Sequence, residues 1–139
     1  MDKTLCAAAV AARARAHCRY SNFAVGAAIQ TITGEVFTGC NVENASYGLT
    51  ICAERVAIGS AVTAGFREFA HLALATDSNA TPCGACRQVL AEFCDDLPIL
   101  IHNVATGQSR TLMLADLLPH QFRFDTDRAA DPGSNPRNK

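Results

Sequence analysis

Two short cysteine-containing segments constrain this chain more than any other feature of its sequence. The first is Cys52-Ala53-Glu54-Arg55, and the second is Pro82-Cys83-Gly84-Ala85-Cys86. The spacing of Cys83 and Cys86 places both sulfurs on one side of a first helical turn, where they can share a metal ion. With Cys52 they make three thiolates, which leave one position of a tetrahedral zinc ion open for water, whereas a structural site is closed by a fourth protein ligand. We therefore predict one catalytic zinc site.

Both cysteine segments are predicted to begin helices. The stretch from Thr50 to Ala64 has high helix propensity and is followed by Gly65, a common residue just past a helix end. Pro82 is typical of the first turn of a helix, here one that runs to about Cys94. Free backbone N–H groups and the positive end of the helix dipole lower the pKa of a nearby thiol. We therefore expect the three cysteines to bind metal as thiolates.

Glu54 and Arg55 follow Cys52 directly and have predicted roles beside the metal. A carboxylate next to a zinc-activated water can take its proton and pass it to a substrate, and burial beside an anionic cluster should raise its pKa toward that task. The alternative for Glu54 is a solvated carboxylate that stabilises the first turn of a helix. Zn²⁺ with three thiolates carries a net negative formal charge, so a cation should lie against the sulfurs. Arg55 is the candidate for that cation.

The composition sets the class of protein around this site. A chain of 139 residues with 49% hydrophobic residues is typical of one globular domain. Its 12 Lys and Arg against 13 Asp and Glu leave no basic excess for a phosphate backbone, so long nucleic acid is not an expected partner. No apolar run approaches the roughly 20 residues of a membrane span. Seven cysteines without a secretory signal favour metal or thiol chemistry over disulfides, so we expect a cytoplasmic protein with no membrane partner.

The remaining pattern predicts alternating helices and strands. Helices are predicted at about 4–17, 50–64, 82–94 and 115–118, and strands at about 23–31, 35–42, 69–76, 98–104 and 110–114. This order predicts the α/β class, specifically a three-layer α/β/α sandwich with a mixed sheet of about five strands. We expect residues 1–124 to form a single catalytic domain. Residues 125–139 hold three Asp and two Pro without apolar periodicity, which predicts a disordered tail.

Several segments, one of which extends the second cysteine motif, resemble a known family. They are Tyr20-Ser21-Asn22-Phe23, Val25-Gly26-Ala27-Ala28, G-C-N-V-E-N-A-S-Y at 39–47, P-C-G-A-C-R-Q-V-L at 82–90 and Leu117-Leu118-Pro119. Together with C-A-E-R at 52–55 they resemble the small, free-nucleoside members of the zinc-dependent cytidine deaminase family. The resemblance covers residues 1 to about 124 and implies that family's fold.

The activity that the resemblance implies is hydrolytic deamination. Cytidine or 2'-deoxycytidine would become uridine or 2'-deoxyuridine plus ammonia, as a step of pyrimidine salvage. The three cysteines, Cys52, Cys83 and Cys86, would bind one zinc ion per subunit. Glu54 would shuttle the proton, delivering it to N3 of cytosine while water attacks C4.

The resemblance also implies which residues hold the nucleoside. Asn41 and Glu43 match residues that bind the ribose hydroxyls, and Phe23 matches an aromatic residue that contacts the pyrimidine. The backbone at Ala53 and Thr81 would contact the base and the departing amine. The alternatives are that Asn41 and Glu43 close a loop and that Phe23 packs in the core.

A homotetramer with shared active sites is a further implication of the resemblance. Ala45, Tyr47 and a phenylalanine after Leu-Leu-Pro, here Phe122, would complete the site of a neighbouring subunit. The alternative for Phe122 is a plain core residue. Two departures from the family pattern, Ala24 and Gly48-Leu49-Thr50, stand where many members have proline. They leave open the preference for cytidine, for deoxycytidine or for a modified base.

Three other functions compete with this interpretation. Within the same chemistry, the substrate could be a modified cytidine or an aminonucleoside antibiotic. From another class, a thiol redox protein would use Cys83 and Cys86, because redox C-x-x-C motifs also open helices. That function leaves Cys52-Ala53-Glu54 without a role. A structural zinc module needs a fourth ligand, and no histidine has a spacing that supplies one.

Overall fold

The computed structural model describes residues 3–124, and the tail predicted at 125–139 lies outside them. The helices are α1 (Lys3–Arg13), α2 (Ala53–Thr63), α3 (Gly84–Phe93) and α4 (Leu114–Leu117). The strands are β1 (Gly26–Thr31), β2 (Val36–Cys40), β3 (Phe69–Thr76), β4 (Pro98–Asn103) and β5 (Ser109–Met113). The predicted order of helices and strands is therefore confirmed. Among these helices, none has the length and apolar character needed to cross a membrane.

The strands form one mixed sheet of five strands in the order β2-β1-β3-β4-β5. The β3–β4 pair is parallel, and the other neighbouring pairs are antiparallel. A parallel pair needs a crossover connection, which α3 supplies between these two strands. Because β3 and β4 run in the same direction, their carboxyl ends lie at the same end of the sheet, and α3 starts beyond the carboxyl end of β3. The second cysteine segment, at the start of α3, therefore lies at that end of the sheet.

Helices cover both faces of the sheet, as the three-layer prediction requires. Successive strand residues point to opposite faces, so the neighbours Ala27 and Ala28 of β1 belong to different cores. Ala28 packs in a small core with Ala9 of α1. Ala27 packs in a larger core with Ala57 of α2 and Leu90 of α3. The predicted α/β/α sandwich is confirmed.

Helix α2 lies unusually close to the sheet. Its residues Ala53, Ala57 and Ala61 are completely buried and belong to the larger core, so this alanine ridge packs within the chain. On β2, a Cβ added at Gly39 would lie 2.5 Å from the Ala53 carbonyl oxygen and 2.6 Å from the Ala57 nitrogen. Only a glycine leaves room for this approach. The strand thus sets the position of the first turn of α2, where the first cysteine segment lies.

The predicted end of the first helix and the predicted start of the first strand were both wrong. Helix α1 ends at Arg13 rather than at His17, since His17 forms a parallel bridge with Val42. The His17 nitrogen donates to the Asn41 carbonyl at 3.0 Å, and the Glu43 nitrogen donates to the His17 carbonyl at 2.8 Å. Similarly, β1 begins at Gly26 rather than at residue 23. The bridge at His17 therefore pairs the 41–43 segment with the chain that follows α1.

We predict that Gly39→Ala destabilises the protein by about 1–3 kcal/mol, because the added methyl group forces α2 away from β2. The matched control is Gly59→Ala, which lies in α2 and where an added Cβ meets nothing within 4 Å. Thermal unfolding at one fixed protein concentration measures both. Equal melting temperatures for the two variants would contradict the close approach at Gly39.

Candidate metal centre and active site

Three thiols converge at one end of the sheet. The Cys52 and Cys83 sulfurs are 3.9 Å apart, and the Cys83 and Cys86 sulfurs are 3.5 Å apart. All three lie within 4.8 Å of one another. In a tetrahedron, Zn–S bonds of about 2.3 Å place neighbouring sulfurs about 3.8 Å apart. The structure therefore brings together the three cysteines that the sequence analysis grouped, at distances that fit a zinc ion.

Each cysteine segment is held at the start of a helix. Cys52 is the last extended residue before α2, and Cys83 has the same place before α3. The Cys52 carbonyl accepts the N–H groups of Arg55 and Val56, both at 3.1 Å. Cys86 lies in the first turn of α3 and is completely buried. The positive ends of two helix dipoles thus meet at the sulfurs, and this stabilises negative charge there.

The thiols share their protons unequally. The pKa of Cys52 is lowered to about 5, chiefly because the Cys86 thiol hydrogen-bonds to it and also because Arg55 lies beside it, while burial opposes the shift. The pKa of Cys86 is raised, because its proton is held by Cys52 and because burial disfavours its charged form. A metal cation replaces such a shared proton when it binds. The donor set therefore fits zinc both in geometry and in charge.

Arg55 lies against the sulfurs, as predicted. Its Nη2 donates to Cys52 Sγ at 3.7 Å and to the Thr50 carbonyl at 3.4 Å. The hydrogen bond to Cys52 raises the pKa of the guanidinium, which therefore remains positively charged beside the sulfurs. Its Nε is buried with no hydrogen-bond partner among the described residues. The side chain thus contributes positive charge at the sulfurs while leaving one buried donor unused.

Glu54 is buried beside the sulfurs, and only 6% of its surface is exposed. Burial raises the pKa of its carboxyl, and the charge of Cys52 contributes to the shift in the same direction. The expected direction of the shift is confirmed, and the alternative of a solvated carboxylate is wrong. Glu54 is the second residue of α2 and is one of the residues that line a cavity.

That cavity opens next to the sulfurs. It is lined by Phe23, Val25, Asn41, Thr50, Cys52, Ala53, Glu54, Leu74, Thr76, Ala80, Thr81 and Cys83. Four of the predicted substrate residues are therefore among its walls. Leu74 and Thr76, which lie in the last three residues of β3, were not predicted from the sequence as site residues. The predicted strand end at Thr76 was a usable signal, because pockets in α/β folds form at the carboxyl ends of strands.

Asn41 holds the loop that carries Phe23. Its side-chain oxygen accepts from the Val25 nitrogen at 2.9 Å, and its amide nitrogen donates to the Phe23 carbonyl at 2.8 Å. The loop-closing alternative thus describes part of what Asn41 does. An amide nitrogen carries two hydrogens, so this pairing leaves one for a ligand in the cavity.

Glu43 is buried and holds the turn before Phe23. Its carboxylate accepts the Tyr20 nitrogen at 2.9 Å, the Ser21 nitrogen at 3.1 Å and the Ser21 hydroxyl. These bonds, with the Ser21 hydroxyl first, lower the pKa of Glu43. Glu43 is therefore ionised at neutral pH and acts only as an acceptor. Within residues 3–124 it is not among the walls of the cavity.

Ala45, Tyr47 and Phe122 lie on the surface, away from the walls of the cavity in the described chain. Phe122 is 67% exposed, so the alternative of a core residue is wrong. Its carbonyl accepts from Gln88 Nε2 at 3.2 Å. None of these three side chains is among the residues that line the cavity within residues 3–124.

Comparison with known proteins gives one consistent family. Residues 1–100 match the family model described as the zinc-binding region of cytidine and deoxycytidylate deaminases. A cytidine deaminase of Sporosarcina psychrophila is 44% identical over 86% of this chain and 90% of its own length. The crystal structure of a cytidine deaminase from Burkholderia pseudomallei has a TM-score of 0.83 and 49% identity, covering 88% of this chain and 100% of that one. A blasticidin-S deaminase of Bacillus cereus is 31% identical over 70% of this chain and 76% of its own length.

We predict that Arg55→Gln releases zinc to a competing chelator about 10–100-fold faster, because the thiolates lose their neighbouring cation. Arg55→Lys keeps the charge and should restore most of the retention. Arg67→Gln, at an exposed arginine outside the site, is the matched control. Zinc release from Arg55→Gln at the wild-type rate would contradict a role for this charge.

Proposed function

The chain belongs to the family of cytidine and deoxycytidylate deaminases with a zinc-binding region, and we propose that it converts cytidine and 2'-deoxycytidine to uridine and 2'-deoxyuridine. The observation that carries this function is the cluster of Cys52, Cys83 and Cys86 next to the buried Glu54 at one cavity. Residues 1–124 serve as one catalytic domain. Pyrimidine salvage in the cytoplasm suits an enzyme that acts on free nucleosides and carries reduced metal-binding thiols.

The reaction replaces the amino group at C4 by oxygen from water and releases ammonia. One zinc ion per subunit, held by the three cysteines, supplies the activation of that water. Glu54 moves the proton: its carboxylate takes the proton from the water and delivers it to N3, and then carries a proton to the departing amine. The reaction consumes one water per nucleoside and needs no oxidant or reductant.

The walls of the cavity suggest how the nucleoside is held. Phe23 offers an apolar face to the pyrimidine, while the backbone at Ala53 and Thr81 contacts the polar edge of the base and the amine. The remaining amide hydrogen of Asn41 suits a sugar hydroxyl oxygen. Glu43 lies in the adjacent turn and, as an ionised acceptor, suits a hydroxyl donor once the sugar is bound.

A homotetramer with shared sites accounts for the exposed apolar residues. The segment just before Cys52 exposes Val42, Tyr47, Leu49 and Ile51, of which Leu49 is 66% exposed. Several large apolar side chains exposed within one short segment are expected at an interface between subunits. Ala45 and Tyr47 belong to this segment, and Phe122 is a further exposed apolar residue. We place these three residues at a neighbouring subunit's cavity.

Two alternatives fit the observations less well. A deaminase of an aminonucleoside antibiotic or of a modified cytidine is supported by the 31% identical blasticidin-S deaminase, but the identity to a cytidine deaminase is 44%. A thiol redox protein would need only Cys83 and Cys86. It leaves unexplained why Cys52 lies 3.9 Å from Cys83 and why Glu54 is buried beside them.

A substrate panel tests the proposed function. The purified enzyme, with zinc measured by metal analysis, should lower the ultraviolet absorbance of cytidine and of deoxycytidine while releasing ammonia. Free cytosine should react far more slowly, because it lacks the sugar that Asn41 and Glu43 would hold. Preferred turnover of an N4-substituted cytidine or of blasticidin S would favour the second candidate. Zinc-loaded protein that deaminates no member of the panel would contradict the proposal.

The control for the panel is Glu54→Gln, which keeps the size of the side chain but cannot carry a proton. This variant should retain zinc and lose turnover by at least about 100-fold. Wild-type turnover in Glu54→Gln would remove Glu54 from the role of proton carrier.

Mixing two impaired variants tests the shared site. Phe122→Ala and Glu54→Gln should each have low activity. Phe122→Ala lacks a side chain that completes the neighbouring cavity, and Glu54→Gln lacks the group that carries the proton. In mixed tetramers, a subunit with intact Glu54 can receive Phe122 from its neighbour, so activity should recover after subunits are exchanged. Sedimentation measures the oligomeric state in the same samples. Failure to recover in verified mixed tetramers would place Phe122 outside the neighbouring site.

A further inference from the structure

The Arg87 guanidinium joins the two adjacent residues Thr81 and Pro82 to Leu117, which lies 30 positions from Arg87 in the sequence. Its Nε donates to the Pro82 carbonyl at 2.6 Å, and its Nη2 donates to the Thr81 hydroxyl at 2.9 Å. Its Nη1 donates to the carbonyl of Leu117 at 2.7 Å. All three nitrogens of the guanidinium are therefore used, each on a different residue.

Two of these acceptors belong to the segment that leads into the metal site. Thr81 is a wall of the cavity, and Pro82 directly precedes Cys83. No helix or strand includes residues 77–83, so regular backbone pairing does not hold this segment in place. Within residues 3–124, the hydrogen bonds to Thr81 and Pro82 come from Arg87. Arg87 thus supplies side-chain hydrogen bonds to the two residues that directly precede Cys83.

The third acceptor belongs to the segment that leads to Phe122. Leu117 is the last residue of α4, and the chain then runs without regular structure to Phe122. Gln88, the next residue of α3, donates to the Phe122 carbonyl at 3.2 Å. Two successive residues of α3 therefore hold the surface segment of residues 117–122. The same helix carries Cys86, so the surface segment and the metal site share one support.

We propose that Arg87 is a positioning residue that sets Thr81 and Cys83 in place and couples the cavity wall to the 117–122 segment. The claim about turnover rests on the proposed deamination, whereas the claim about zinc retention does not. If the wild-type enzyme fails to deaminate any nucleoside, the proposed function fails and the zinc measurement still tests Arg87.

Arg87 acts through geometry rather than through charge. Its three acceptors are neutral oxygens, whereas Arg55 has its Nη2 3.7 Å from Cys52 Sγ. A guanidinium holds its five N–H donors in a rigid plane, and the compact ammonium of lysine cannot reach three separate acceptors in those directions. A lysine should therefore restore function at position 55 and fail to restore it at position 87.

The variants that test this proposal are Arg87→Lys and Arg87→Gln, with Arg67→Lys at an exposed arginine as the matched control. Each is measured for kcat and KM with cytidine, for the rate of zinc release to a chromophoric chelator, and for melting temperature. We expect both Arg87 variants to lose about 10–100-fold in kcat/KM and to release zinc about 10–100-fold faster, as is typical when a residue supporting a metal site is lost. Arg67→Lys should match the wild type.

Two results would overturn the proposal. One is wild-type kcat, KM and zinc release in Arg87→Lys. The other is a lower melting temperature alone, with kinetics and zinc release unchanged in the folded enzyme, which is what a merely structural side chain would give.

Thr81→Val keeps the test decisive if the Arg87 variants do not fold. It removes the hydroxyl acceptor and keeps the shape of the side chain, so kcat/KM should fall, by less than in Arg87→Lys. Wild-type kinetics in Thr81→Val would contradict the proposal. Where all variants fold, Thr81→Val and Arg87→Lys should have less than additive effects on kcat/KM when combined. The reason is that both variants remove the same hydrogen bond, the one between Arg87 and the Thr81 hydroxyl. Strictly additive effects would also contradict it.

Discussion

The structure depends on holding three cysteine sulfurs within 4.8 Å of one another, where a metal ion would bind all three as thiolates. Such negative charges repel, and they remain together only where positive charge surrounds them. The start of α2, the start of α3 and the Arg55 guanidinium supply that charge from the protein, and a zinc ion supplies the rest. The two helices must therefore start at the same place. The five-stranded sheet positions both helix starts.

The sheet places the helix starts through packing and connectivity. Gly39 and the buried alanines of α2 let this helix lie directly against β2 and β1, so the position of Cys52 is set by close backbone contact. Helix α3 is positioned differently, as the crossover between the parallel strands β3 and β4. The first turn of α3 follows an irregular segment, and Arg87 supports that segment through hydrogen bonds to Thr81 and Pro82. The first turn of α2 is supported instead by its close contact with β2. The two halves of the site thus have unlike supports.

Asn41 and Glu43 hold the loop that carries Phe23, in addition to their proposed contact with a sugar. Asn41 and Glu43 pair with the backbone around Phe23, so the residues proposed to bind the sugar also support the part of the cavity wall that contains Phe23. A change at either position would therefore alter the support of that wall as well as the proposed contact with the sugar. The sequence analysis treated binding and loop closure as alternatives, whereas the hydrogen bonds show that loop closure is present and leave a donor of Asn41 for a ligand. Such pairings join residues 16 to 23 positions apart, so no local pattern reveals them.

Features that depend on neighbouring residues could be predicted from the sequence. The ligand type, the spacing of Cys83 and Cys86, the two helix starts and the order of strands and helices all follow from local chemistry and short-range periodicity. The tertiary structure alone decided the rest. It brought Cys52 within 3.9 Å of Cys83, a residue 31 positions away, buried Glu54, and gave Arg87 an acceptor 30 positions along the chain. The physical reason is that contacts between distant segments depend on how the sheet packs both helices, and a local pattern carries no record of that packing.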